Sequence, residues 1–346
     1  MSALHSTTRR RQAGLSLIEL MIALSIGLFL LLGLVAVFSN SNRTYIDLSR
    51  ASQQIENGRF AVQVMTDDIS LAGYYGRYAL QLTVPGALPD TCETATMATL
   101  RSGAALPIQG YNAPASSPIT ACLPAANHVA NTDILVVRRS DSFATALGSL
   151  AGGQVYMQSN ADPTSGTNPI IALGSAANFT LTNRDGATIA PVRKYHVHIY
   201  FVAPCSIPNG GGTVCTGAAD DGGSPIPTLK RLELTVDPAD NTRKMYLVSL
   251  VEGIENLQVD YGVDTDTDGV PNGPYVTAPA SVADWANVVA VRVNVLARNL
   301  EATGGYTDAK AYDMGVAGTV TPGGAFKRHV YNTVIRVVNP SSRRES

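Results

Sequence analysis

The first forty residues contain one long apolar run. No charged residue interrupts the chain from Leu20 to Phe38, and the run from Leu15 to Phe38 contains only Glu19. As a helix, these 24 residues would reach about 36 Å, which is enough to cross a hydrocarbon core of about 30 Å. The pattern therefore predicts a membrane-spanning helical segment over residues 15–39.

After Phe38 a seven-residue apolar repeat continues the helical pattern. The spacing predicts an amphipathic helix over residues 40–75, because every seventh residue returns to the same side. The residues of the second apolar row are mostly small, which favours close packing on a flat partner such as a β-sheet over a free coiled coil. The first row is Leu48, Ile55, Val62 and Ile69, and the second is Ala51, Gly58, Met65 and Ala72. Off this stripe lie Arg50, Gln53, Gln54, Glu56, Asn57, Asp67 and Asp68.

From residue 76 onward the pattern becomes one of turn-rich stretches and short strands. Residues 80–128 are rich in Pro, Ala, Ser, Thr and Gly and predict a long irregular loop. A helix followed by many strands, without βαβ alternation, predicts an α+β fold whose antiparallel sheet body spans 76–346. A helical turn is a further possibility within 251–263. Strands are predicted at 133–139, 154–158, 169–173, 178–182, 194–203, 229–236, 244–263, 285–298 and 328–338.

The charge distribution orients the apolar helix and excludes one class of function. Arg9, Arg10 and Arg11 precede the run, so the positive-inside rule holds the N-terminus in the cytoplasm and places the body outside the inner membrane. A net charge of −2 gives no basic footprint for nucleic acid. The alternative is a cleaved secretory signal, but its apolar region usually has about 7–15 residues. The sequence before Asn40 is also a weak cleavage site.

The four cysteines all follow the apolar run, as expected for an exported body. None forms a Cys-x-x-Cys pair, which argues against a zinc ribbon or a redox motif. Of the three possible pairings we favour Cys92–Cys122 and Cys205–Cys215, because each closes a loop with little apolar content. Such bridges stabilise mainly by restricting the unfolded chain, by roughly 2–4 kcal/mol each. Free buried thiols are the alternative.

An acidic segment, "DTDTDGVPNG", resembles the first half of a calcium-binding loop. Asp264, Asp266 and Asp268 alternate, a glycine follows, and Val270 (through its carbonyl) and Asn272 take the next ligand positions. The bidentate glutamate that completes such a loop is missing. A solvated acidic turn is therefore the alternative interpretation.

Other candidate sites are weaker. His196 and His198 share one strand face, but they lack a third ligand at a recognisable spacing, so a polar sheet face is the favoured interpretation. "NGGGTVC" lacks the Lys and Ser/Thr of a phosphate loop and is interpreted as a flexible disulfide loop. The sequence contains neither Gly-x-Ser-x-Gly nor HExxH. We expect no enzymatic activity and no required cofactor, with calcium as the one ion that the sequence suggests.

The segment "AGLSLIELMIALSIGLFLLL" resembles the N-terminus of a type IV prepilin. Such chains have a basic leader, a glycine, an apolar residue and a glutamate at the fifth place after the glycine. The resemblance implies a leader at 1–14, cleavage between Gly14 and Leu15 by a membrane-embedded aspartyl peptidase, and N-methylation of Leu15. The family most often has phenylalanine where this chain has Leu15, although leucine is tolerated.

The resemblance gives Glu19 a role in assembly. An ionised acid near the apolar phase is costly without a partner. Cleavage would create an α-amino cation at Leu15, and Glu19 of an incoming subunit would pair with this group on its neighbour. The pair would set the axial stagger of the filament. A glutamate that merely extends to the membrane interface is the alternative.

Three further segments, "NGRFAVQVMTDDISLAGYYG", "LVEGIENLQVDYGVDTDTDG" and "WANVVAVRVNVLARN", resemble the PilW family of minor pilins. The resemblance implies a pilin-like fold and a low-abundance subunit that primes pilus polymerisation at the tip, supporting adhesion and twitching motility. The implied partners are other minor pilins, the major pilin, the prepilin peptidase/methyltransferase, the inner-membrane assembly platform and a tip adhesin. The implied location is the inner membrane, and outside the cell once the pilus is assembled.

Other functions remain open from the sequence. A J-type pseudopilin of a type II secretion system would use the same helix in a short periplasmic filament. An exported calcium-dependent adhesin would not need Glu19. A membrane-anchored enzyme is the least favoured class.

Overall fold

A long helix is the first element of the structure. Helix α1 runs over Leu17–Ser70 and contains 54 residues. The structure is a computed structural model that describes residue 14 and residues 16–78, 81–160 and 169–344. The predicted leader therefore lies outside the described residues except for Gly14, and Leu15 lies outside them as well.

The end of α1 differs from the predicted boundary at residue 75. Residues 71–73 form a turn instead, and Gly73 has a φ of +71°. This left-handed conformation suits glycine and ends the helical hydrogen bonding. The amide of Gly73 donates to the carbonyl of Arg138 at 2.9 Å, so the turn is tied to a sheet strand.

The rest of the fold is mainly antiparallel β-structure, which confirms the α+β prediction. The described part of the chain divides into two compact units, one ending at Ala51 and the other beginning at Ser52. The further helices are α2 (Met97–Ala104), α3 (Val282–Ala286) and α4 (Val338–Arg344). The strands are β1 (Ile108–Tyr111), β2 (Ile134–Ser140), β3 (Val155–Gln158), β4 (Ile170–Leu173), β5 (Val192–Ala203), β6 (Thr228–Val236), β7 (Arg243–Glu252), β8 (Ile254–Val263), β9 (Val288–Arg298), β10 (Tyr312–Asp313), β11 (Thr319–Val320) and β12 (Arg328–Arg336).

Two antiparallel sheets form the core of the second unit. The larger contains seven strands in which β5 pairs with β2, β3 and β6, while β1, β4 and β7 lie further out. The smaller has the order β12-β9-β8. The chain passes from β7 to β8 through Gly253, whose φ is +76°. This glycine redirects the chain from one sheet to the other, so the helical turn suggested within 251–263 is wrong.

The C-terminal part of α1 packs against the core shared by both sheets. Ala61, Met65 and Ile69 are fully buried there. Gly58 lies so close to Tyr331 of β12 that an added Cβ would be 2.1 Å from the ring. The small second row therefore allows close helix–sheet packing, as its composition predicts.

The polar side of this helix differs from the prediction. Ile55 of the first apolar row remains 48% exposed, whereas Gln54 and Asp68, predicted to lie off the stripe, are buried. The Gln54 side-chain amide donates to the carbonyl oxygens of Ala297 at 2.9 Å and Lys327 at 3.1 Å. Since these hydrogen bonds satisfy the amide group, burial does not leave it unpaired.

Two other predictions fail locally. Residues 178–182 do not form a strand. Ala176–Asn178 is a short 3₁₀ turn instead, and Thr182 makes only an isolated bridge to Ile189. The predicted irregular loop 80–128 contains α2 and β1. Both elements are short, and their burial against neighbouring strands stabilises them without a strong local pattern.

Asp133 joins the two sheets at the start of β2. Its carboxylate accepts the amides of Ala113 at 2.6 Å and Val259 of β8 at 2.7 Å. Its own amide donates to the Leu257 carbonyl at 2.8 Å. Burial raises the pKa of Asp133 from 3.8 to about 6, and the nearby charge of Asp260 adds to this effect. The carboxyl group is therefore a titrating link between the sheets.

The raised pKa of Asp133 predicts a pH-dependent stability. The folded state binds the proton of Asp133 more tightly than the unfolded state does. Protonation of Asp133 therefore stabilises the fold fully below about pH 4, and this stabilisation is lost as the pH rises through 6. Two pKa units correspond to at most about 3 kcal/mol. We expect Asp133→Asn to remove this component from the free energy of unfolding measured between pH 4 and 7. The exposed control Asp313→Asn should retain it, and an unchanged profile in Asp133→Asn would contradict the assignment.

Candidate functional site

Ser16 and Glu19 cap the N-terminal end of α1. Ser16 precedes the helix, and its hydroxyl accepts the amide of Ile18 at 3.2 Å. The Ser16 amide in turn donates to Oε2 of Glu19 at 3.0 Å. This reciprocal arrangement is close to a capping box, in which a serine and a glutamate three residues later satisfy exposed helix amides. Glu19 thus stabilises the start of its own helix.

Glu19 also remains available for a partner. The residue is exposed, and a carboxylate has about four acceptor positions, of which the bond to Ser16 uses one. Gly14, just before the cap, is exposed too. Leu15 lies outside the described residues, so cleavage after Gly14 and methylation of Leu15 stay predictions.

The first half of α1 is an apolar surface without a covering partner in the described chain. Its most apolar stretch is not buried by any part of the described chain. Leu17, Phe29 and Phe38 are each more than 70% exposed. By length and composition this helix is able to cross a membrane. Such a surface requires lipid or other apolar helices around it.

Both favoured disulfides are present in the structure, Cys92–Cys122 and Cys205–Cys215. The second loop is more ordered than its glycine-rich sequence suggests. The Asp220 carboxylate accepts the amides of Asn209, Thr216 and Gly217 at 2.7–2.8 Å. These hydrogen bonds fold the loop around one buried acid.

The structure brings the three acids of the predicted calcium loop together. Asp264, Asp266 and Asp268 each offer a carboxylate oxygen within 4.8 Å of the others. However, Asp264 is fully buried and already has protein partners for both oxygens. One oxygen accepts the amides of Asp266 and Thr267, and the other accepts the Gly269 amide at 3.0 Å.

A cation of the protein itself faces this loop. Arg344 of α4 places Nη1 3.4 Å from the second oxygen of Asp264. Hydrogen bonds of the loop and Arg344 together hold the pKa of Asp264 below its ordinary value against the opposing effect of burial. Asn272, another predicted ligand, uses its side-chain oxygen to accept the Thr265 amide at 2.6 Å, and Val270 is half exposed. The donor set is thus largely occupied by protein groups, and calcium binding stays a prediction.

If the loop binds calcium, added calcium must raise the melting temperature of the protein. At a calcium concentration ten times a millimolar dissociation constant, binding would raise the melting temperature by about 2–4 °C over the value in EGTA. Asp268→Asn should remove this increase, and Asp240→Asn, an exposed acid in another loop, should leave it. Equal melting temperatures in calcium and EGTA would mean that Arg344 and the loop amides alone stabilise the segment.

The histidine pair has a structural partner that the sequence did not indicate. Nδ1 of His198 lies 2.7 Å from Oδ2 of Asp68 on α1, and both side chains are 4% exposed. Nε of Arg139 contacts the other Asp68 oxygen at 2.6 Å, and the Tyr200 hydroxyl donates to Oδ2 at 2.8 Å. His196 pairs separately with Asp141 at 2.9 Å. The polar sheet face is therefore an anchor for the helix.

The electrostatics of this anchor favour an ionised Asp68. Although burial opposes ionisation, the charge and hydrogen bond of His198, followed by those of Arg139, hold the pKa of Asp68 far below its usual value. Burial and the Asp68 charge together raise the pKa of Tyr200, so its hydroxyl stays a donor. We name Asp68, Arg139, His198 and Tyr200 the helix anchor.

Two family models match the chain. Residues 9–35 match the prokaryotic N-terminal methylation motif, and residues 214–339 match Type IV Pilus-assembly protein W, abbreviated PilW. No curated protein matches, and no solved structure does. The first match covers the glycine, the glutamate and most of the apolar run, and the second extends from the end of the Cys205–Cys215 loop into α4. The two matches indicate interaction with other pilus components and processing by a prepilin peptidase. The chain thus carries the domain of the type IV pilus-assembly family PilW together with the N-terminal methylation motif of prepilin-like proteins.

Proposed function

We propose that this protein is a minor pilin that primes type IV pilus assembly at the filament tip and thereby supports adhesion and twitching motility. The proposal rests on two features found together in one chain. One is an exposed apolar helix that follows Gly14 and contains Glu19, and the other is a PilW domain. The apolar helix suits first a bilayer and then the helical core of a filament. The body is proposed to act by binding alone, without catalysis.

The proposed location follows from the same elements. Before assembly the chain spans the inner membrane once, with the arginine-rich leader in the cytoplasm and the disulfide-bonded body in the periplasm. The peptidase removes the leader and methylates Leu15. The assembly platform then transfers the chain into a filament with other minor pilins and the major pilin, where a tip adhesin is a further proposed partner.

A second candidate is a J-type pseudopilin, because the same apolar helix and glutamate would build a periplasmic pseudopilus. Deleting the gene and restoring it distinguishes the two. A minor pilin predicts loss of surface pili and twitching with unchanged protein secretion. A pseudopilin predicts the reverse. Normal piliation and normal secretion in the deletion strain would contradict both and favour an independent adhesin.

A further inference from the structure

One face of the larger sheet carries a cavity that the assembly role does not use. It has a volume of about 400 Å³ and lies between the two disulfide loops and strands β6 and β7. This size falls in the usual range for small-ligand sites. The floor is apolar and includes Leu123, Leu232, Met245 and Leu247.

A buried lysine gives this cavity its chemical character. Lys230 of β6 lines the cavity and is only 2% exposed. Its Nζ donates one hydrogen bond, to the Ser206 carbonyl oxygen at 2.9 Å. An ammonium group carries three N–H donors. Among the described residues, no carboxylate lies within ion-pair distance of this group.

The acids nearest to Lys230 are committed elsewhere. Asp220 and Asp221 each hold the second disulfide loop by accepting its amides. Asp221, for example, accepts those of Ser206 at 3.0 Å and Ile207 at 2.6 Å. Burial lowers the pKa of Lys230, and the charges of Asp221 and Asp220 partly oppose this effect. A buried cation without an ion-pair partner is unfavourable, and an anion that enters beside it would relieve that cost.

The second lysine at the cavity is different. Nζ of Lys244 on β7 contacts Asp237 and lies 3.0 Å from Asp240, and its side chain is 43% exposed. Because two carboxylates already neutralise it in contact with solvent, Lys244 has little attraction left for a ligand. It therefore serves as a matched control for Lys230.

We propose that this cavity binds a small ligand that carries one carboxylate on a short branched apolar group, with the carboxylate beside Lys230. The apolar part would lie against Leu232 and Leu247, which cross-strand pairing places on the same sheet segment. The carboxylate would take the N–H donors of Lys230 that the Ser206 carbonyl does not use. The ligand is either a free acid or the end of a peptide chain, since both present this chemistry.

The test uses the full chain in lipid nanodiscs and saturation-transfer NMR. The probes are 4-methylpentanoate and N-acetyl-leucine, each compared with its neutral amide. We expect each acid that binds to have an affinity at least about tenfold higher than that of its amide, because only the acid forms a charge-assisted hydrogen bond with Lys230. Binding of N-acetyl-leucine alone identifies a chain end, and binding of both acids identifies a general carboxylate site. Equal binding of acid and amide, or no binding, overturns the proposal.

Substitutions assign the effect to Lys230. Lys230→Gln should abolish the preference for the acid, and Lys244→Gln should preserve it. Since Lys230→Gln also removes the bond to the Ser206 carbonyl, a second pair of variants keeps the test independent of that loop contact. Ser249 is the cross-strand partner of Lys230 and is exposed, so Ser249→Glu places an internal carboxylate beside the ammonium and should block the acid, whereas Ser249→Gln should not. Equal affinity in Ser249→Glu and Ser249→Gln contradicts the assignment.

Discussion

Glu19→Ala is expected to abolish pilus assembly while the protein remains in the membrane. In the proposed filament, the Glu19 carboxylate pairs with the α-amino group of Leu15 on a neighbouring subunit in a largely apolar setting. Removing one partner of such a pair costs about 3–5 kcal/mol, because the other charge is left unpaired. This loss corresponds to a factor of about 10²–10⁴ in the equilibrium of one assembly contact. The measurement is the amount of sheared surface pili, with the membrane fraction probed for the protein.

Two variants separate this assembly role from helix capping. Glu19→Gln keeps an acceptor for the Ser16 amide, since Gln also serves in a capping box, but it removes the charge. Ser16→Ala removes the hydroxyl that accepts the Ile18 amide and keeps the charge. We expect Glu19→Gln to fail in assembly and Ser16→Ala to assemble. Normal piliation by Glu19→Gln would mean that Glu19 acts only as a helix cap.

Asp68→Ala is expected to destabilise the body by about 3–5 kcal/mol, because it breaks the helix anchor and removes the buried carboxylate that pairs with His198 and Arg139. The matched control is Asp67→Ala. Asp67 is the preceding residue, but it is exposed, and its carboxylate accepts a surface hydrogen bond from Gln63. Its removal should change the free energy of unfolding by less than about 0.5 kcal/mol. Denaturant unfolding of the full chain at pH 7 measures both values.

The low pKa of Asp68 adds a pH signature to this prediction. A carboxylate whose pKa is depressed in the folded state contributes stability above its unfolded pKa of 3.8, and this contribution is lost as the pH falls further. The difference between wild type and Asp68→Ala should therefore be constant from pH 5 to 7 and shrink below pH 4. Equal stability of the two proteins at pH 7 would show that the anchor contributes no net stability.

The elements that the sequence predicts best are those with a strong local pattern. The apolar run and the seven-residue repeat predict α1 because their apolar positions recur with the period of a helix. Most long strands follow from alternating or continuous apolar residues, as in β5, β6 and β9. The glutamate after Gly14 was also recognisable locally. Its capping contact with Ser16 was predictable in principle, because Ser-x-x-Glu is a capping pattern.

The features that the sequence did not predict depend on distant partners. Asp68 is buried against His198, which lies 130 positions away in the chain. Gln54 is buried where it reaches the carbonyl of Ala297, which lies 243 positions away. No local periodicity reports such contacts, so both residues resemble solvent-facing helix positions. The burial of Lys230 was not predictable from local sequence either. In β6 it stands among charged and apolar residues, and the disulfide loops that bury it come from other parts of the chain. The cavity at Lys230 and the helix anchor could therefore be identified only from the three-dimensional structure.

The most direct test of the central claim is the intact mass and N-terminal residue of the protein purified from its native membrane. Prepilin processing predicts a mature chain that begins at Leu15 with a methylated amino group, so that Glu19 is its fifth residue. An uncut chain, or one that begins near Asn40, would contradict the assembly role of Glu19 and the proposed pilus function together.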